Sequence, residues 1–226
     1  MKIKIDQRFA TRVERSERVL ELAEAFGLGL DDKEFVVFEN LGLEIKEGDV
    51  VYITGQSGAG KSLLLRELKK AFVAAGYSVA DIDEVKFEDK PLCEQIGKNL
   101  KHALDLMSIG GLTDANLYAR KPNELSDGQR YRFRLAKVIE SGAKVWVADE
   151  FLAILDRDTA KIIAMGIQKV ARKVGATLIV ATTHKDMVDD LGPDLYIEKR
   201  YREKIKVIRD TKTEADPAPS ETRKAA

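Results

Sequence analysis

An α/β fold built on a mostly parallel sheet, with helices covering both faces, is what this sequence predicts. Three observations predict it. Short β-branched runs alternate with amphipathic helical stretches along most of the chain. A glycine-rich turn stands between one such strand and one such helix, and a second apolar strand ends in two adjacent carboxylates.

The elements follow in order. Met1 to Ile5 alternates apolar and charged residues and reads as an edge strand. Ser16 is a candidate N-cap for a helix with Val19, Leu20, Leu22, Ala23 and Phe26 along one face, ended by Gly27 and Gly29. Phe35–Phe38 and Leu41–Ile45 read as two short strands, and Asp49–Thr54 as a third. Leu63–Val73 is helical, and Tyr77–Ile82 is a parallel strand. Residues 92–107 carry Leu92, Ile96, Leu100, Ala103, Leu104 and Met107 at helical spacing. A short helix follows around Asp114–Tyr118, then a longer one from about Gly128 to Glu140. Lys144–Asp149 is a buried strand, 158–174 an amphipathic helix, and Ala176–Thr183 the most strand-like run of all. Strands near 195–199 and 204–208 close the fold. The main domain is expected over 1–210. Residues 211–226 hold almost nothing to bury and read as a disordered tail.

The 226 residues suffice for one substantial core with a small inserted subdomain. No apolar run approaches a membrane span, and the first six residues lack the apolar core of a signal peptide, so no membrane insertion by this chain is expected. Cys93 is the only cysteine, which excludes an internal disulfide and points to a reducing cytoplasm. The 38 basic residues balance 38 acidic ones, so net charge gives no general reason to expect nucleic acid; a local basic patch remains open.

Gly55-Gln56-Ser57-Gly58-Ala59-Gly60-Lys61-Ser62 fits the phosphate-loop pattern G-x-x-x-x-G-K-[ST] at every fixed position, with a strand before it and a helix after it. Backbone N–H groups of such a loop and the following helix N-terminus face phosphate oxygens. Lys61 is placed to reach the β- and γ-phosphates, and the Ser62 hydroxyl to hold Mg2+. The pattern therefore predicts a nucleoside triphosphate site. At Leu125-Ser126-Asp127-Gly128-Gln129, Ser126 is a helix N-cap and Gly128 leaves the positive helix end open, which makes a second candidate anion site. Val145 to Glu150 delivers Asp149 and Glu150 to the edge of a parallel sheet, where such sheets bind ligands. Asp149 suits a Mg2+ shell, and Glu150 suits orienting and deprotonating a water.

These motifs together resemble the ATP-binding-cassette (ABC) ATPases, in particular soluble archaeal and bacterial ABC-type ATPases without a transmembrane domain. Gly55–Ser62 matches their Walker A, Leu125–Gln129 their LSGGQ signature with Asp127 for the first glycine, and Val145–Glu150 their Walker B. Leu155-Asp156 is similar to the end of the D-loop, and His184 to the switch histidine. The resemblance covers residues 33 to 200. It implies a P-loop NTPase fold with an N-terminal antiparallel β subdomain and a short inserted helical subdomain over about 88–140. It implies ATP and Mg2+ as ligands, and a head-to-tail homodimer. There the phosphate loop of one copy and Ser126, Gly128 and Gln129 of the other enclose each ATP. It further implies that His184 contacts the γ-phosphate and that Asp156 couples the two sites.

Departures qualify that pattern. Only 63 residues lie between Lys61 and Leu125, a short gap for a transporter member. No Q-loop glutamine is evident: Gln95 falls inside an apolar-periodic stretch, and the strand end offers Asp83 and Glu84 instead. A carboxylate there is either a Mg2+-shell ligand in place of the amide or a solvated acidic turn. Phe151 stands where the family usually has proline. Phe26, Phe35 and Phe38 are each either core or the aromatic that stacks on adenine. The resulting expectation is an ATPase that drives a conformational change in an unidentified protein partner. Its alternatives are an ATP-gated clamp on nucleic acid, toward which Arg130, Arg132 and Arg134 point although their alternate spacing spreads them over different helix faces, and the ATP-binding subunit of a transporter.

Overall fold

The structure, a computed structural model, describes residues 1–201, 203 and 205–209; the tail expected at 211–226 lies outside the described residues. The chain divides into two compact units, one over Met1–Ile45 and one from Lys46 onward.

In the first unit, β1 (Lys2–Thr11) pairs antiparallel with β2 (Lys33–Glu44), with α1 (Glu17–Phe26) between them in sequence. The two short strands expected at 35–38 and 41–45 are one continuous strand. Asn40 takes a left-handed φ of 48° at a bulge where the pairing with β1 shifts register between Ile5 and Gln7, and the strand continues beyond it. Ile3, Ile5, Phe38, Leu41 and Leu43 are buried. Of the apolar positions in α1 only Ala23 is buried. Ser16 precedes the helix without a side-chain cap bond, and Gly27 closes it at φ 62°.

The second unit holds a six-stranded sheet built from β3 (Val50–Gly55), β4 (Val79–Asp81), β5 (Val145–Ala148), β6 (Thr177–Thr182), β7 (Leu195–Lys199) and β8 (Lys206–Arg209). Its order is β4-β5-β6-β3-β7-β8, parallel throughout except for antiparallel β8. Every residue of β3, β5 and β6 is buried, as expected of parallel strands covered on both faces. Val50, Tyr52, Trp146, Ala148, Leu178 and Val180 pack into one core with α5 (Asp127–Glu140) and α6 (Arg157–Val174). Strand alternation turns Val51, Ile53, Val147 and Ile179 to the opposite face. Helix α2 (Lys61–Ala74), which packs on β3 and β6, buries Leu64, Leu65, Leu68 and Phe72.

The helix expected over 92–107 is not continuous. A 3₁₀ turn at Leu92–Glu94 is followed by Gly97 at φ 82°, and α3 begins only at Leu100 (Leu100–Ile109), where the Asn99 side chain accepts from the His102 N–H at 2.9 Å. The apolar spacing runs through both pieces, but a left-handed glycine and a capping asparagine place the break. With α4 (Ala115–Tyr118), these pieces enclose a second core of Leu92, Ile96, Met107, Leu112 and Leu117, into which α5 sends Phe133 and Ala136. Helix α5 thus belongs to both cores: Tyr131, Leu135 and Val138 face the sheet. A final short helix, α7 (Val188–Leu191), precedes β7. Among the described residues no helix is long and apolar enough to cross a membrane.

Candidate functional site

Strand order decides what meets. Because β4, β5, β6 and β3 are adjacent and parallel, their C-terminal ends share one edge of the sheet. That edge carries Asp83 beyond β4, Asp149 and Glu150 beyond β5, His184 beyond β6, and the phosphate loop beyond β3.

The loop's first glycine is fixed by space. Gly55 has φ 145°, and a Cβ there would stand 1.8 Å from the Lys199 carbonyl oxygen in β7, so only glycine lets β3 and β7 pair up to this point. Gly60 is the N-cap of α2 at φ 97°, and it offers no side-chain cap bond. The caps of α3, α4, α5 and α6 all do. The first-turn N–H groups of α2 are thereby left toward the loop, which fits a phosphate cradle. Gln56, Ser57 and Gly58 are exposed, Ala59 is buried, and the Ala59 N–H donates to the Gln56 carbonyl at 3.2 Å. Lys61 is buried, with Nζ donating to the Gln56 carbonyl at 2.8 Å. Burial pulls its ammonium below the usual lysine range, and Asp149 and Glu150 oppose that pull. Ser62 is exposed at the start of α2.

Around the Asp149–Glu150 turn the backbone is unusual. Glu150 and Leu152 both have left-handed φ, 42° and 57°, in side chains that disfavour it. Several contacts hold them. The Asp149 N–H donates to Asp83 Oδ2 at 3.1 Å, and the Glu150 N–H to Asp149 Oδ1 at 2.9 Å. The Phe151 N–H donates to the Ala181 carbonyl of β6 at 2.8 Å. The Leu152 N–H donates to the hydroxyl of Tyr131 in α5 at 3.3 Å. A proline at 151 has no N–H to donate, so the departure from the family pattern has a use here. Burial raises the Asp83 carboxyl above its ordinary value, partly offset by the N–H it accepts.

Of the three candidates for the missing glutamine, Asp83 alone bonds to the Walker B turn. Glu84 pairs with Lys69 of α2. Gln95 is not inside a helix; it caps the 3₁₀ turn, and its amide holds the 88–90 loop through Glu88 N–H, the Glu88 carbonyl and the Lys90 carbonyl.

Ser126 and Gln129 form a reciprocal capping box: the Gln129 N–H donates to Ser126 Oγ at 3.3 Å, and the Ser126 N–H to Gln129 Oε1 at 2.9 Å. Asp127 pairs with Arg130. Gly128 sits against Leu155, since a Cβ there would come within 2.9 Å of Leu155 Cδ2. Asp156 caps α6, accepting from the Thr159 N–H at 2.9 Å, and that bond holds its carboxyl below the ordinary range. His184 is half-buried; its N–H donates to Thr182 Oγ1 at 3.3 Å, and its carbonyl accepts from the Tyr52 hydroxyl at 2.8 Å. The Tyr52 and Tyr131 contacts, and one between Arg157 Nε and Asp186 Oδ2 at 3.1 Å, join residues 21 to 132 positions apart, and no local sequence pattern announces them.

The three arginines of α5 do not form a basic stripe. Arg130 bonds the Leu125 carbonyl at 2.7 Å, Arg132 the Gly111 carbonyl at 3.0 Å, and Arg134 lies over the Phe87 ring at 5.5 Å. Of the adenine candidates, Phe38 is core, whereas Phe26 and Phe35 are exposed.

Comparison with known proteins bears on this geometry. Residues 38–96 match the family model described as "ABC transporter", a stretch that includes the phosphate loop. The methionine import ATP-binding protein MetN of Clostridium tetani is 29% identical over 191 residues, covering 69% of this chain and 59% of the relative. The MetN 1 protein of Oceanobacillus iheyensis is also 29% identical, covering 68% and 55%. The chain therefore spans little more than half the length of these relatives. Among solved structures, the dimeric ATP-binding cassette MJ0796 bound to ADP and Pi superposes with a TM-score of 0.62 at 19% identity, covering 81% of this chain and 95% of that one. A second dimeric MJ0796 structure gives 0.66 at 16%, covering 93% and 100%. The fold is that of a P-loop NTPase in its cassette form, and in sequence the chain resembles the ABC ATPases.

Proposed function

We propose that this chain is a Mg2+-dependent ATPase of the ABC type, which binds ATP between two copies arranged head to tail and drives a conformational change in a partner protein. The observation that carries the reading is the shared sheet edge, where the uncapped start of α2, Lys61, the Asp149–Glu150 pair and His184 lie on adjacent strand ends. Ser126 and Gln129 cap the start of a different helix, α5, and the head-to-tail arrangement has that helix start meet the nucleotide of a second copy.

Catalysis of phosphoryl transfer to water rests on positioning and electrostatics. The first-turn amides at the start of α2 and the Lys61 ammonium hold the phosphates. Ser62 Oγ and Asp149 are the residues that would hold Mg2+, which would neutralise phosphate charge. Glu150, set on a strained backbone by the bonds on either side of it, orients the water and takes its proton. His184 contacts the γ-phosphate, and Asp156 links the two composite sites.

A second reading is that the partner is a membrane permease and this chain its ATP-binding subunit. The methionine-import relatives favour it over a nucleic-acid clamp, as does the internal engagement of Arg130, Arg132 and Arg134. The test is Glu150→Gln. With ATP and Mg2+ it should dimerise on size-exclusion chromatography while turnover falls at least about 100-fold. Wild-type turnover in this variant would sink the assignment. Affinity capture of the stalled dimer distinguishes a permease from nucleic acid.

A further inference from the structure

The turn that carries His184 is held from three sides. Tyr52, ahead of the phosphate loop, donates to the His184 carbonyl. Lys185 pairs with Glu198 of β7, which also accepts from Arg200 Nε at 3.1 Å. Asp186 receives Nε of Arg157 at 3.1 Å on one oxygen and Nη2 on the other. Arg157 is the first residue of α6 and follows the Asp156 cap. One position earlier again, Leu155 lies against Gly128. Three successive residues therefore touch the signature, set the start of α6, and hold the His184 turn.

We propose that Arg157 is a positioning residue: its two-pronged pair with Asp186 fixes His184 relative to Leu155, so that a shift at Gly128 is passed to the histidine within the same chain. The proposal rests on the reading of His184 as the γ-phosphate contact. An ion pair as exposed as this one adds little to stability, so its value is geometric. A planar guanidinium bonded through two N–H groups fixes angle as well as distance, which a lysine ammonium does not. The link also joins a helix start to the turn after β6, 29 residues away. In the assembled dimer the signature of one copy faces ATP held mainly by the other. Its occupancy would then bear on His184 of its own chain, which serves the opposite site.

The experiment compares wild type with Arg157→Gln, Asp186→Asn, their double variant and Arg157→Lys. Two readouts are taken: side-chain imidazole resonances of labelled histidine, and KM and kcat for ATP. The chain has two histidines, so His102, on α3, is an internal control. The expected result is that both single variants move the His184 resonance and leave that of His102 in place. Turnover should fall about tenfold, with KM changed less than about twofold. The double variant should be no worse than either single, and Arg157→Lys should restore only part of the loss. An unmoved His184 resonance, additive losses, or full activity in Arg157→Gln would overturn the proposal. Absence of ATP turnover in the wild type would instead count against the proposed function, while the imidazole resonances still decide whether Arg157 positions His184.

Discussion

Asp83 Oδ2 accepts a hydrogen bond from the Asp149 backbone N–H at 3.1 Å, joining the ends of two adjacent parallel strands just where Walker B turns. A carboxylate thus stands beside Asp149, the residue proposed above to hold the metal. Its visible work is to hold a strained turn.

If that is its role, an acceptor matters more than a charge. Asp83→Asn keeps an acceptor and should retain most of the ATPase rate. Asp83→Ala should lower kcat roughly tenfold, about 1.4 kcal/mol in the barrier. Steady-state ATPase assays at saturating Mg2+ decide it, and equal losses in the two variants would show that the charge itself acts on the cation.

The head-to-tail arrangement predicts complementation between defective copies. Lys61→Ala and Ser126→Arg proteins should each be inactive alone. Mixed in equal amounts, half the dimers are mixed and each has one complete site, so about one quarter of the wild-type rate should return if the sites are independent. No recovery in rate or in ATP-driven association would count against Ser126 acting on the other copy's nucleotide.

Gly55 and Gly58 should respond differently to alanine. At Gly55 the new methyl meets backbone at 1.8 Å, so β3 and β7 must separate. The cost should be about 3 kcal/mol or more, a fall in Tm of roughly 6–12 °C for a chain of this size. Gly58, at φ 72° with nothing within 4 Å of a built Cβ, should lose only about 1–2 kcal/mol. Thermal melts followed by circular dichroism compare the two, and similar losses would refute the close-approach argument.

Asp156 makes a pH-dependent contribution. Its folded carboxyl lies below the ordinary value because it accepts the Thr159 N–H. The stabilisation is therefore present above the unfolded value, about pH 4, and is lost as pH falls through the lower folded value. Asp156→Asn keeps a neutral cap at every pH. Wild type should melt higher than this variant at pH 7, and the gap should close in acid. A gap that widened as the pH fell would reverse the sign and exclude the cap as its source.

The glycine-rich loop, the N-cap at Ser126 and the carboxylate-ended strand were legible in the sequence because each depends on residues within a few positions of one another; that Gln129 answers Ser126 in a capping box was not read from it. The same local reasoning joined residues 92–107 into one helix, since apolar spacing is blind to the left-handed Gly97 that breaks it. It split β2 in two at Asn40 for a related reason: the kink is visible, but the ladder with β1 that carries the strand through it is not. It also left three candidates open for the glutamine, because choosing among them requires knowing which strand end lies beside β5.

By itself, then, the sequence determined that this protein carries a glycine-rich loop between a strand and a helix, a serine-capped helix start at Ser126, and two carboxylates at a strand end. Periodicity, capping and glycine stereochemistry act over three or four residues, and so they are written locally. Only the tertiary structure decided that Asp83 supports Asp149, that Phe151 bonds Ala181, and that Tyr52 and Arg157 hold the His184 turn. Those pairings follow from the order β4-β5-β6-β3. That order is set by burying the whole sheet at once, and no short stretch of the chain encodes it.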